Sequence, residues 1–273
     1  MAKALLMSGR VPMRNGWYLT LLGRCAMSSG DSNVFEGLFK LWASICKMIL
    51  DGARKAEEVA KYLQRVNDDP NFLEKLDHPA QASVNTDIPT DGWATEWTRF
   101  YQQVFGITVD LSKVSIPDDP GGFGLVVFVI KEMIYNRVWA KCSDLLKVSS
   151  WYGDDFDSLI DKEKEERKAD NGPYAVRFRN RIEADEENKN LSANKLTKRG
   201  GEHITLLEQL LLSLFIWWRT KGFHLDMHSW TLCAGSRGSA GSVPCVSWYS
   251  DQLQVSFYHP GNANDNIRSR SAV

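Results

Sequence analysis

The sequence predicts an α+β protein, in which a helical N-terminal portion precedes an α+β domain with a mainly antiparallel sheet. Apolar residues recur at helical spacing through the first third of the chain, and a turn-rich break follows at residues 116–122. The final part alternates like β-strands separated by short turns. With 43% hydrophobic and 25% charged residues among 273, the chain can bury a core that offsets its ordering entropy.

Three helices are predicted in the first part, which we interpret as a mainly helical domain over residues 1–116. Apolar residues recur at helical spacing over residues 34–50, and strong helix formers dominate residues 53–66. A third apolar stripe covers residues 93–104, and Gly106 suits the end of that helix. Prolines and polar residues between the second and third helices predict a loop.

The second predicted domain covers residues 117–273 and begins with a strand. Residues 124–130 form a continuous β-branched and aromatic run, typical of a strand buried on both faces. A helix is predicted over residues 135–147. The highly charged residues 154–171 are predicted to form either a surface helix or a mobile loop.

The segment PYAVRFRNR alternates and is predicted to be a half-buried strand. Its apolar face carries Tyr174, Val176 and Phe178, and its other face carries Arg177, Arg179 and Arg181. The acidic residues 183–190 then predict a helix start. Thr205 and Glu208 form a capping-box signature in front of a helix that is apolar almost all round and ends near Gly222. We expect this helix to be central to the core.

A three-stranded meander is predicted near the C-terminus, from the segments SWTLCAG, CVSWYS and LQVSFYH. Val246 and Trp248 share one face of its middle strand. We expect the meander to close a single sheet with residues 124–130 and PYAVRFR. The polar tail, residues 262–273, is expected to be extended.

The charge balance and the cysteines restrict the class of protein. The chain has 33 basic and 34 acidic residues, so it lacks the basic excess of a dedicated nucleic-acid binder. Five widely spaced cysteines without a CxxC pair favour reduced thiols and a cytoplasmic protein, with a Cys233–Cys245 bridge as an alternative. The longest apolar stretch, residues 210–218, is too short to cross a bilayer.

Several segments resemble an uncharacterised family of bacterial proteins. They are YAVRFRNRIEADEENKNLSANKL, ITLLEQLLL, KGFHLD, and TLCAGSR with VPCVSWY. Weaker similarity extends back through ILDGARKAEEVAKYLQ and WTRFYQQVFGI, so the resemblance covers most of the chain. It implies one natural bacterial unit and brings no activity with it.

Two arginine-bearing surfaces are the candidate ligand sites. Arg177 and Arg179 can hold phosphates or carboxylates, although the acids that follow in sequence favour a surface ion-pair network. The small-residue loop around Ser236 and Arg237, beside Trp248 and Tyr249, can let a ligand approach the backbone. A flexible hairpin loop is the plainer interpretation of that segment.

A metal site is a weaker hypothesis. His224, Asp226 and His228 are residue types that hold zinc or iron, and on an extended strand they would point the same way. The alternative is a loop in which Asp226 caps and the histidines lie at the surface. His228 does not belong to the pattern of the resembled family.

The sequence favours a non-enzymatic binding or interaction protein of unknown partner, with self-association as one form. No cofactor is predicted. One alternative is a hydrolase or transferase that uses the arginine-bearing face. Another is a nucleic-acid accessory protein whose helices over residues 34–66 present Arg54, Lys55, Lys61 and Arg65 to DNA, although a plain helical hairpin is favoured there because Glu57 and Glu58 would repel phosphates.

Overall fold

A computed structural model of the protein describes residues 42–51, 55–68, 83–84, 86, 88–89 and 92–273. The chain divides into two compact units, Met1–Pro70 and Asn71–Val273. In the first unit, residues 42–50 are helical (α1) and Ala56–Asp68 forms helix α2, as predicted. The earlier part of the first predicted helix and most of the predicted loop at residues 78–92 lie outside the described residues.

The second unit is an α+β structure, which confirms the predicted class. Its helices are α3 (Trp93–Phe100, continued by a π-helical turn at Tyr101–Phe105), α4 (Tyr135–Leu145), α5 (Phe156–Leu159), α6 (Ala193–Arg199) and α7 (Leu206–Thr220). Its strands are β1 (Leu125–Val129), β2 (Val148–Ser150), β3 (Tyr174–Phe178), β4 (Glu202–His203), β5 (Trp230–Leu232), β6 (Val243–Tyr249), β7 (Gln252–Tyr258), β8 (Ile267–Arg268) and β9 (Ser271–Ala272).

The strands form two sheets, so the expectation of a single sheet was wrong. Sheet A has the order β1-β3-β9-β4 and is antiparallel throughout. Sheet B has the order β2-β7-β6-β5-β8. The predicted meander is its antiparallel centre, and β2 and β8 add to it in parallel. Helix α7 contacts both β1 of sheet A and β6 of sheet B. Because α7 is apolar on nearly every side, one sheet could not cover it.

Helix α7 is the central helix of the core, as predicted. Residues 210–216 are all buried. Thr205 accepts a hydrogen bond from the Glu208 amide, and the Glu208 carboxylate accepts one from the Thr205 amide, which confirms the capping box. Lys221 ends the helix in the left-handed conformation, with φ of 59°.

Helix α3 packs its aromatic stripe against α7 and sheet A. Trp97 stacks on Phe215 with ring centroids 4.3 Å apart, and its indole donates a hydrogen bond to the Val126 carbonyl. The Tyr101 hydroxyl donates to the Phe128 carbonyl on the same strand. Strand β1 is buried along its whole length, as predicted. These contacts join residues on both sides of position 117, the start of the second predicted domain, within one compact unit.

The acidic segment differs from its prediction because buried polar partners hold it. The acidic residues 183–190 form a single 3-10 turn, Glu186–Asn188, instead of an α-helix start. Glu183 and Asp185 are fully buried and accept backbone hydrogen bonds from Ser229 and Ser271. The C-terminal tail contains extended segments, as predicted, and these add β8 to sheet B and β9 to sheet A.

The charged residues 154–171 were predicted to form either a surface helix or a mobile loop. They contain only short helical segments, α5 and a 3-10 turn at Lys162–Lys164.

Cys233 and Cys245 are buried and form no disulfide bridge. Among the described helices, none has the length and apolarity needed to span a bilayer.

Candidate functional site

The predicted arginine face is largely neutralised by neighbouring acids. Arg179 pairs with the buried Asp185 at 2.6 Å, and its guanidinium lies 4.4 Å from the centroid of the Phe123 ring. Arg181 makes a bidentate ion pair with Glu187. This pair lowers the pKa of Glu187 to about 2. The geometry matches the ion-pair network that the following acids suggested.

Arg177 is buried and bound to backbone. Its Nε donates to the Pro117 carbonyl and its Nη1 to the Phe123 carbonyl, at 3.2 Å for the second contact. The guanidinium therefore pins the turn-rich segment before β1 to sheet A. Its donors are directed at protein carbonyls and not at an open anion site.

The Ser236–Arg237 loop is also held in place by structural contacts. Ser236 is fully buried, and its hydroxyl accepts a hydrogen bond from the Leu206 amide at the first turn of α7. Arg237 donates to the carbonyls of Ala234 and Ser236 in its own loop. The loop is therefore ordered by its own side chains.

Ser236 lies beside a buried carboxyl group that sequence reasoning did not single out. Glu165 accepts a hydrogen bond from the Tyr135 hydroxyl at 2.5 Å, and its other carboxyl oxygen is buried without a hydrogen-bond partner. Burial raises the pKa of Glu165 to about 7, against the opposing effect of the Tyr135 hydrogen bond. This cluster can take up a proton near neutral pH.

The three residues of the metal hypothesis have separate partners. Residues 224–228 form no strand, and Asp226 adopts φ of 55°, so the side chains do not share a face. Asp226 accepts hydrogen bonds from Arg270 and Gln209, whereas His228 contacts Glu183. Among the residues that the structure describes, no cluster of three or more His, Cys, Asp or Glu side chains is arranged to hold a metal ion.

His224 and Trp248 form a stacked pair. Their ring centroids are 3.3 Å apart with an interplanar angle of 8°. Burial lowers the pKa of His224 to about 4, so the ring is neutral at pH 7. Trp248 is thus covered by the histidine and packs on the inner, core-facing side of sheet B. Trp248 also contacts Asp226, because its backbone amide donates a hydrogen bond to the Asp226 carbonyl at 2.9 Å.

The opposite, outer face of sheet B carries a groove, which we call the aromatic groove. Its cavity volume is about 530 Å³, within the range typical of small-molecule sites. The lining residues that the structure describes are Trp151, Tyr152, Trp230, Cys245, Ser247, Tyr249, Gln254, Ser256, Phe257 and Tyr258. Strand β6 supplies alternate residues, and its partner β7 supplies Gln254, Ser256 and Tyr258 to the same face.

The aromatic groove gathers the exposed aromatic residues that the structure describes in the second unit. Among its described residues, the exposed aromatic side chains are Trp151, Tyr249 and Tyr152, at 81%, 59% and 53% exposure, and all three line the groove. Trp230 and Tyr258 pack together on the same face, with ring centroids 6.0 Å apart. Exposed aromatic area concentrated in a concavity is typical of a binding surface.

The charge-free lining of the groove includes three polar side chains that make no hydrogen bond to the protein. None of the described lining residues is Asp, Glu, Lys, Arg or His. In the part of the chain that the structure describes, the side chains of Ser247, Gln254 and Ser256 make no hydrogen bond to the protein. Hydroxyl and amide groups both donate and accept hydrogen bonds. These three residues, which we call the floor of the groove, can therefore bind a ligand that donates or accepts hydrogen bonds.

Sequence reasoning missed the groove because it followed the wrong face of the meander. It used Val246 and Trp248, which face the core, and named Tyr249 only as a neighbour of the Ser236–Arg237 loop. Ser247 and Tyr249 alternate with the core-facing residues and line the groove. The signal was present in this alternation and in the adjacent pair Trp151-Tyr152, which lies in a turn-rich segment.

Comparison with known proteins gives no match: no family model, no curated protein and no solved structure matches this chain.

Proposed function

We propose that this protein is a non-enzymatic binding protein and that the aromatic groove on the outer face of sheet B holds its ligand. The observation that carries the proposal is the clustering of Trp151, Tyr152 and Tyr249 in one concavity. Exposed aromatic rings lower solubility unless they serve contact with a partner. The rings share the groove with hydroxyl and amide groups that make no hydrogen bond to the protein. The groove therefore offers a ligand both a stacking surface and polar groups that fix its orientation.

Side chains outside the groove that are of types used in catalysis already make structural contacts. This favours binding over catalysis. A hydrolase or transferase would need groups such as Arg177, Asp226 and Ser236 to share a pocket. Instead, Arg177 binds the carbonyls before β1, Asp226 binds Arg270, and Ser236 caps α7. Each contact stabilises a junction between elements of the fold.

Saturation-transfer NMR on a probe mixture tests the proposal. The mixture contains cellotetraose, maltotetraose, an end-blocked neutral tripeptide and adenosine. We expect at least one probe to receive saturation from the wild-type protein and to lose it with Trp151→Ala. Trp151 is 81% exposed, so its removal should leave the fold intact.

Trp42→Ala is the matched control, because Trp42 is also an exposed tryptophan, at 47%, but lies in the first unit. It should leave saturation transfer unchanged. The proposal is overturned if no probe receives saturation, or if the signal survives Trp151→Ala and Tyr249→Ala together. It is also overturned if sedimentation shows a dimer that the same two substitutions dissociate, since a second copy then covers the groove.

A further inference from the structure

We infer that the aromatic groove binds an uncharged saccharide, in the form of a short oligosaccharide. This inference rests on the proposed function, since it names the ligand class of the same groove. It depends on three properties of the site: its lack of charge, the arrangement of its aromatic rings and the free hydrogen-bonding groups of its floor.

The lack of charge selects a neutral ligand. The described lining residues include no Asp, Glu, Lys, Arg or His. A phosphate, nucleotide or nucleic-acid strand would need Lys or Arg to offset its charge, and an ammonium ligand would need Asp or Glu. A charged ligand would therefore lose its hydration in this groove without an opposite charge to replace it.

The aromatic rings lie around a polar floor. Trp151 and Tyr152 follow β2, on one side of the β7–β6 pair, and Trp230 belongs to β5 on the other side. A sugar ring has C–H groups on its faces and hydroxyls around its edge. It can therefore place a face on an aromatic ring while its hydroxyls reach the polar groups between the rings.

The floor matches the edge of a sugar. Ser247, Gln254 and Ser256 are on one face of two neighbouring strands, with Ser247 directly opposite Gln254 in the ladder. Their side chains supply donors and acceptors together, as the hydroxyl groups of a saccharide require. A purely apolar ligand would leave these groups without partners at a cost of about 1–3 kcal/mol each.

Other neutral occupants fit less well. An extended peptide gains most of its affinity by adding to the edge of a sheet, where backbone groups are free. The groove instead lies on a sheet face, whose backbone groups are already paired between β6 and β7. Its volume of about 530 Å³ is that of a small-molecule site and not of a large protein interface.

Calorimetric titration of the wild-type protein with separate probes tests the saccharide assignment. We expect cellotetraose or maltotetraose to bind, and the blocked tripeptide and adenosine to give no heat. Trp151→Ala should weaken saccharide binding about tenfold, as expected for loss of a stacking surface. Gln254→Ala should weaken it several-fold, and Trp42→Ala should not change it. Affinity should be the same at low and high salt, because no charge is involved.

The outcomes separate the two proposals. Tripeptide or adenosine binding that depends on Trp151, with silent saccharides, overturns the saccharide inference and leaves the binding function standing. A tetrasaccharide of glucuronic acid that binds more tightly than the neutral one, with an affinity that falls as salt rises, also overturns this inference alone. Silence of all probes, or saccharide binding that is unaffected by Trp151→Ala and Tyr249→Ala together, overturns both.

Discussion

The Tyr135 hydroxyl donates a hydrogen bond to the buried Glu165 carboxyl group, with 2.5 Å between the two oxygens. Burial raises the pKa of Glu165 from 4.5 to about 7. The folded protein therefore binds this proton more tightly than the unfolded chain does. As pH rises from about 4.5 to about 7, the proton is lost from the folded state and the free energy of unfolding falls.

Glu165→Gln should remove this pH dependence, because the amide can accept the Tyr135 hydrogen bond without becoming charged. We expect the variant to be more stable than wild type at pH 8, by at most about 3 kcal/mol, with no gain near pH 4. Urea unfolding at both pH values measures the difference. Glu163→Gln, at a side chain that is 90% exposed, is the matched control. A stability change that is equal at both pH values would contradict the assignment.

Local patterns predicted most elements of the second unit because each depends on neighbours in sequence. The aromatic stripe of α3, the capping box of α7 and the alternation of the meander are all local signals. The division into two sheets was not predictable in this way. It depends on the last residues, where β8 and β9 pair with different sheets only three residues apart.

The site was harder to predict than the fold because charge in the sequence does not show which groups are already paired. Arg179 and Asp226 have residue types suited to ligands, yet their partners are Asp185 and Arg270. The groove residues Ser247 and Gln254 carry no charge, and their importance follows only from the strand register that places them opposite each other.

The Asp226–Arg270 pair joins the segment before β5 to the chain between β8 and β9. Both side chains are buried, and the oxygen–nitrogen distance is 2.7 Å. Asp226→Asn should cost about 3–5 kcal/mol, because Arg270 is then left with an uncompensated buried charge. The double variant Asp226→Asn/Arg270→Met should recover part of the loss, measured as a coupling energy by urea unfolding. Strict additivity of the two single changes would show that the pair does not act as a unit.

Glu208 has a larger role than its capping position indicates. It is fully buried, and besides the Thr205 amide it accepts hydrogen bonds from Arg167 and Tyr174. Thr205→Ala removes only the cap and should cost about 1 kcal/mol. Glu208→Gln keeps an acceptor for the Thr205 amide but removes the buried carboxylate that pairs with Arg167, which retains Glu202 at 2.8 Å. We expect this change to cost about 2–3 kcal/mol, more than Thr205→Ala. Thermal or urea unfolding measures both, and equal costs would contradict this account.

Arg177 and Arg181 are a useful pair of arginines to compare. Both were predicted to lie on one face of the same strand, but the structure gives them different surroundings. Arg177 is buried and uses two separate nitrogens to bind the carbonyls of Pro117 and Phe123. Lysine has one ammonium group and cannot reproduce this fork, so Arg177→Lys should cost about 2 kcal/mol.

Arg181 pairs with Glu187, whose side chain is 46% exposed. Arg181→Lys should therefore cost less than about 1 kcal/mol, and the cost should shrink at high salt. Urea unfolding of both variants in low and high salt makes the comparison. Phosphate added to the wild-type protein should not raise its melting temperature above that in chloride at equal ionic strength. A phosphate-specific increase that Arg177→Lys abolishes would instead place an anion site on this face, because only a folded-state ligand stabilises in this way.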